Sequence, residues 1–367
     1  MTHAHGRSPH IKRVFPGSNT PQGFFSFYDY IPGEATRLMV IKGGPGVGKS
    51  TFMQRVGEAM VEQGFDVEYH HCSSDSDSLD GVVFPEIKVA LIDGTAPHVV
   101  DPLYPGAVDE IINLGEYWDG RRLMEARGII VSTTKQIGEL FAQAYRFLRA
   151  AKEIRDGWAA VNARGFHEGR FNECLRAIEE EILGGIPPVK DKAGRVRHLF
   201  LSALTPGGPR DHLDDTFACA RKVIVFRGEP GTGRSCLLSA LLRAAIVRGL
   251  DVEAFHCGLD PSRLEHLFFP ALSAGVVTTG EYHRYEKEDA RVLEMEACLD
   301  PAPAYRREMA AEAHEVFTGL IDRAIRHLAL AKEAHDTLET HYVAGMDFEG
   351  INHLRARTLS RLLSSPE

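Results

Sequence analysis

Residues 43–51 read Gly-Gly-Pro-Gly-Val-Gly-Lys-Ser-Thr and follow the apolar run Leu38-Met39-Val40-Ile41. The pattern Gly43-x-x-x-x-Gly48-Lys49-Ser50 has the residue types that hold a phosphate chain. Glycines let successive backbone N–H groups turn inward around an anion with no Cβ in the way. A helix that starts at the loop adds the positive end of its dipole. Gly43, Gly44, Pro45, Gly46, Val47 and Gly48 are the expected cradle. Lys49 reaches the β- and γ-phosphates, Ser50 offers a hydroxyl to Mg2+, and Thr51 packs or caps. The chemistry this predicts is binding of ATP with Mg2+.

Such a loop needs a carboxylate at the end of a neighbouring strand to organise the metal's water shell. Val89-Ala90-Leu91-Ile92-Asp93 ends in one, and Gly94 follows it; a turn-forming Asp-Gly is the plainer alternative. The polar stretch after the strand Asp66 to Tyr69, His-His-Cys-Ser-Ser-Asp-Ser-Asp-Ser-Leu-Asp-Gly, makes Asp75 a candidate for metal, substrate or water activation, or else part of a solvated loop. His70, His71 and Cys72 would make a poor zinc site, because neighbours on a strand point to opposite faces, and they read as packed core residues instead. His98 lies in a shaped loop beyond Asp93, where a structural hydrogen bond is the simplest role.

The same loop is written a second time. Gly-Glu-Pro-Gly-Thr-Gly-Arg-Ser-Cys occupies 228–236, again after an apolar run, Val223-Ile224-Val225-Phe226. Gly228, Gly231, Gly233 and Ser235 keep the pattern, but Arg234 stands at the lysine position and Thr278 at that of Asp93. Arginine keeps the charge in a different, planar shape, and threonine cannot replace a carboxylate. The second site is therefore expected to bind phosphate without cleaving it.

Stepping along the chain at the spacing of Gly43 and Gly228 (228 − 43 = 185) also superimposes Thr20-Pro21 on Thr205-Pro206, His71-Cys72 on His256-Cys257, Asp75 on Asp260, and His98 on His283. Later the spacing is 180, with Ala151-Lys152-Glu153 on Ala331-Lys332-Glu333. The chain is two copies of one domain-sized unit. The first spans 1–185, a Gly- and Pro-containing linker 186–196, and the second 197–367. Each reads as strand, loop and amphipathic helix, then further buried strands, which predicts an α/β fold with a parallel sheet between helical layers. Each copy ends in a long helix with 3–4 apolar spacing and a shorter one, a helical hairpin packing on its own domain or on its twin.

Bulk properties narrow the classes. Among 367 residues, 44% are hydrophobic and 25% charged, as in ordinary globular proteins. A net charge of −9 argues against a dedicated nucleic-acid binder. No run is apolar enough to span a membrane, and the first residues do not read as a signal peptide. Six scattered cysteines without a C-x-x-C pair suit reduced thiols in the cytoplasm. His3, His5 and His10 read as a frayed terminus.

The first loop and its surroundings resemble the P-loop NTPase superfamily. Almost end to end, through Cys72-Ser-Ser-Asp-Ser-Asp-Ser-Leu-Asp-Gly81 and the long segment from Asp93 to Asp119, the chain also resembles a bacterial family with two tandem P-loop units per polypeptide, described as ATPases. That resemblance implies the fold and nucleotide binding. Arg234 and Thr278 depart from the family, in which both loops keep their pattern. Three functions remain open: an ATPase coupled to movement or to a protein partner, a small-molecule or nucleotide kinase, and a nucleotide-gated binding module. Asp93-Gly94-x-x-Pro97 is similar to the strand end of nucleotide kinases, with one extra residue. The absence of an Asn-Lys-x-Asp motif favours adenine over guanine.

Overall fold

The computed structural model describes residues 8–95, 99–189 and 192–364. His3, His5, His98 and part of the linker lie outside the described residues. The first copy contains β1 (Ile11–Val14), β2 (Gly17–Thr20), β3 (Gly23–Ser26), β4 (Arg37–Lys42), α1 (Lys49–Glu62), β5 (Val67–His71), β6 (Leu79–Phe84), β7 (Val89–Asp93), β8 (Glu110–Asn113), α2 (Gly120–Glu125), α3 (Arg127–Ala163) and α4 (Glu168–Leu183). The second contains β9 (Val196–Leu199), β10 (Ser202–Thr205), β11 (Gly208–Asp211), α5 (Leu213–Phe217), β12 (Lys222–Arg227), α6 (Arg234–Val247), β13 (Val252–Cys257), β14 (Asp260–Phe269), β15 (Ala274–Thr278), β16 (Arg291–Glu294), α7 (Ala304–Val343) and α8 (Phe348–Ser364).

Two six-stranded sheets result, ordered β1-β5-β6-β7-β4-β8 and, in the matching sense, β9-β13-β14-β15-β12-β16. Both are mixed, which corrects the expected parallel sheet. β6 runs antiparallel to β5 and β7, while β7, β4 and β8 run parallel. The cause is chain length: the loop 72–78 and the turn 85–88 are too short for the crossover that a parallel pair requires. Lys88 sits in that turn at φ 53° and Ser273 in its twin at φ 47°, so both copies make the same left-handed turn.

The expected helical layers are also uneven. α1 packs one face of the first sheet through Phe52, Met53, Val56 and Met60, all buried. On the other side Ile31, just past the 3-10 turn Tyr28–Tyr30, lies where a Cβ on Gly81 would come within 2.9 Å of it. In the second sheet the short α5 plays that part, with Phe217 fully buried and edge-on to Phe268 at 5.9 Å. Gly64 and Gly249 follow α1 and α6 at positive φ, the left-handed conformation that commonly ends a helix.

Compact units do not follow the repeat boundaries at 185 and 197. One unit comprises residues 1–16, 26–142 and 327–367; the other comprises 17–25 and 143–326. The helical hairpins thus change places. In the first unit Ile351 and Leu362 of α8 join the core of α1 and its sheet. In the second, Ile178, Ile182 and Leu183 of α4 join Leu237, Leu238 and Leu241 of α6. Of the two packing partners open to each hairpin, the twin is the one used.

Each fully buried aliphatic side chain contributes roughly 1.5–3 kcal/mol. Three of them are comparable to the whole net stability of a domain, roughly 5–15 kcal/mol. A fragment of residues 1–185 is therefore expected to show no cooperative monomeric unfolding, and to dimerise by exchanging α4 or to aggregate. Sedimentation velocity with thermal melting checks this; a monomer melting as sharply as the full chain would contradict it.

Candidate functional site

β4 delivers the chain to the sheet edge, and α1 takes it away from Lys49 onward. Between them the backbone makes turns that only glycine accepts easily: Gly46 at φ 67° and Gly48 at φ 89°. Gly48 is the N-cap and has no side chain to bond the first helical N–H groups, so these stay directed into the loop. Val47 is fully buried beneath it. Thr51 is exposed and neither packs nor caps.

Lys49 Nζ donates to the carbonyls of Gly43 (3.1 Å) and Gly44 (2.7 Å) and lies 3.6 Å from Asp93 Oδ2. β4 and β7 are parallel neighbours with Ile41 opposite Asp93, which is how loop and carboxylate meet. Asp93 also forms its own turn, accepting from Thr95 N at 2.9 Å, while Thr95 Oγ1 accepts from Gly43 N at 3.2 Å. Asp93 thus makes the Asp-Gly turn with one oxygen and faces Lys49 with the other. Ser50 Oγ accepts from Leu79 N at 2.9 Å, tying α1 to the start of β6.

The residue after Leu79 is the one that sequence reasoning missed. Asp80 is 5% exposed, and its Oδ2 has no hydrogen-bond partner. Burial, reinforced by Asp93, pushes its carboxyl up to about 7 against the pull of the Tyr28 hydroxyl and Lys49. Burial likewise raises Asp93, opposed mainly by Lys49. Lys49 thus pairs with Asp93 alone, while Asp80 behind it is held back from ionising; a divalent cation would favour the ionised form of both carboxyls. The repeat held a signal for Asp80, since the same register puts Glu265 at its position.

Asp75 is drawn elsewhere. It accepts from Ser78 Oγ at 2.9 Å and pairs with Lys332 of α7 at 3.4 Å. Its twin Asp260 pairs in the same way with Lys152 of α3 at 3.5 Å. The persistence of this aspartate is explained by holding a helical arm. His70 is buried beside Glu68 at 2.7 Å, as expected of a core residue, whereas His71 and Cys72 are half-buried as residues, the Cys72 thiol still being pushed well above its usual range by burial.

That arm covers the loop. Glu339 Oε1 accepts from Gly46 N at 3.1 Å, and the Tyr342 ring lies where a Cβ on Gly44 would come within 2.7 Å of it. A carboxylate therefore occupies a loop N–H of the kind that faces a phosphate. The repeat register gives no hint of this contact, because Ala159 stands at the matching place in the other arm.

The second loop keeps the backbone form, with Gly231 at φ 90° and Gly233 at φ 94°. Its chemistry differs. Glu229 replaces Gly44; its N–H goes to Glu296 (2.9 Å), and its carboxylate accepts from Trp158 (3.3 Å) and Asn162 (3.1 Å). Arg234 donates to Thr279 O at 2.9 Å, not to the loop carbonyls. Ser235 lies in the first turn of α6, and Thr278 N donates to His266 Nδ1 at 3.1 Å. His283 pairs with Glu265 at 3.1 Å. Burial opposes ionisation of Glu265, but His283, His266 and Arg155 together hold it well below the usual carboxylate range.

No family model, curated protein or solved structure matches this chain. No described helix is long and apolar enough to cross a membrane.

Proposed function

We propose that the first unit is a Mg2+-dependent ATPase of P-loop type and that the second is a non-hydrolysing, regulatory or structural partner. The observation that carries this reading is Lys49, held between the loop carbonyls and Asp93. On the arrival of ATP, Lys49 turns from its own loop to the β- and γ-phosphates, and the loop N–H groups take the phosphate oxygens. Ser50 and Asp93 would hold Mg2+, with Asp80 behind them. The ion's chemistry is neutralisation of charge on the phosphate oxygens. Lys49 and the loop hold the γ-phosphate in line for attack by water, while Asp93 orients the water shell. Thr278 gives the second unit no such carboxylate.

The arm supports coupling of this reaction to movement. A triphosphate competes with Glu339 for Gly46 N–H, so binding displaces the end of α7 from the loop. Glu339→Gln is expected to tighten binding of a non-hydrolysable ATP analogue by about tenfold, roughly 1.4 kcal/mol, because it removes like-charge repulsion. Calorimetry with Mg2+ checks it, with GTP as the base-specificity control. Unchanged or weaker affinity would mean that Glu339 does not guard the loop. Absence of Mg2+-dependent nucleotide binding in wild type and variant alike would overturn the proposed function itself.

A further inference from the structure

The second unit has an open-mouthed cavity of about 850 Å3 lined in part by the second loop. Its wall combines apolar side chains, among them Trp158, Leu259 and Phe317, with five arginines: Arg155, Arg210, Arg234, Arg306 and Arg307. The volume lies within the range of sites that enclose a small organic molecule.

Partners separate the acids of this wall from its bases. Glu265 is paired by His283 at 3.1 Å, Glu281 by His314 at 2.8 Å, and Asp300 by Arg170 at 2.7 Å. Glu229 accepts from Trp158 and Asn162, and Glu296 from Glu229 N. By contrast, among the described residues Arg155, Arg234, Arg306 and Arg307 have no carboxylate within ion-pair distance. Arg155 donates to Cys257 Sγ at 3.5 Å, Arg234 to Thr279 O at 2.9 Å, and Arg307 to Ala302 O at 2.6 Å. Arg306 Nε is buried with no partner. Burial and then the nearby Arg155 disfavour the charge on Arg234.

Guanidinium groups kept from carboxylates in a partly apolar cavity suit an anion that accepts several N–H bonds at once. We infer that this cavity is a metal-independent binding site for an organic phosphate, its anionic group held by the arginines and its apolar or aromatic body against Trp158 and Phe317. The contrast with the first unit is one of charge. There the acids Asp93 and Asp80 lie near one lysine; here arginines without a carboxylate partner suit an anion, and Thr278 stands at the position of Asp93. Arg306 and Arg307 have no part in the glycine loop, so the site extends beyond nucleotide binding at a relic loop.

Binding is measured on the full-length Lys49→Ala protein in EDTA, which removes the lysine and the metal from the first unit, and the arginine variants assign what remains to the second. The readouts are calorimetry and tryptophan fluorescence, with phenyl phosphate, AMP, ADP and inorganic phosphate as probes. At least one organic probe is expected to bind in EDTA and to outbind inorganic phosphate by tenfold or more. Arg234→Ala should weaken it at least tenfold. Arg306→Ala, which lies away from the loop and lets the fold be checked separately by thermal melting, should do likewise. The inference is overturned if no organic probe binds at millimolar concentration, if binding requires Mg2+, if inorganic phosphate binds as well as phenyl phosphate, or if both arginine variants bind as the parent does. Failure of ATP hydrolysis in the wild type would affect the first-unit reading alone.

Discussion

Replacement of Lys49 by alanine is expected to lower the rate of ATP hydrolysis by on the order of 100- to 1,000-fold, the loss seen when one preorganised donor is removed from a transition state. The ammonium is the group best placed to follow negative charge onto the phosphates, and it lies 3.6 Å from the carboxylate expected to organise the metal. It contributes no apolar surface to the buried cluster beneath α1, so the melting temperature should change by only a few degrees. Lys49→Arg reproduces the second loop in the first unit and should also be strongly impaired, because the planar fork cannot reach the phosphates as a point charge does. Phosphate release by purified variants checks both. Wild-type turnover in Lys49→Ala would remove the first unit from the chemistry.

Asp93→Asn should cost a comparable loss of Mg2+-dependent turnover while leaving nucleotide affinity within about tenfold, roughly 1.4 kcal/mol. Asparagine keeps an oxygen for Thr95 N–H, so the turn survives and only the charge is lost. The affinity is carried by loop N–H groups and Lys49, which the substitution leaves in place. Rates and affinities measured across a Mg2+ titration separate the two effects. Equal Mg2+-dependent rates in variant and wild type would shift the metal role to Asp80, which is buried beside Asp93, and not to Asp75, which is paired with Lys332.

Local features were legible from sequence because local chemistry decides them. Gly46 and Gly48 adopt positive φ, α1 begins at Lys49, and β7 ends at Asp93 beside the loop. The repeat also announced two similar units and a helical hairpin in each. What stayed hidden depends on partners distant in the chain. β6 lay within a stretch read as polar loop, since Asp80 and Gly81 mask a strand that is buried throughout. Its direction follows from short connections, so the sheet could not be parallel. The exchange of hairpins cannot be read from apolar spacing, because α4 and α8 offer similar faces to either sheet. Glu339 meets Gly46 only through that exchange, across 293 positions of chain. Asp80 was recoverable: an acid recurs at its position in both copies.

The most direct test of the central claim is release of γ-labelled phosphate from ATP by the full-length protein, followed with Mg2+ and with EDTA, in the absence and presence of a panel of nucleosides and sugars. Hydrolysis in the first unit predicts inorganic phosphate that appears with Mg2+ alone, needs no acceptor, disappears in Lys49→Ala and persists in Arg234→Ala. Label transferred only to an added acceptor, or release that survives Lys49→Ala but is lost in Arg234→Ala, would contradict it.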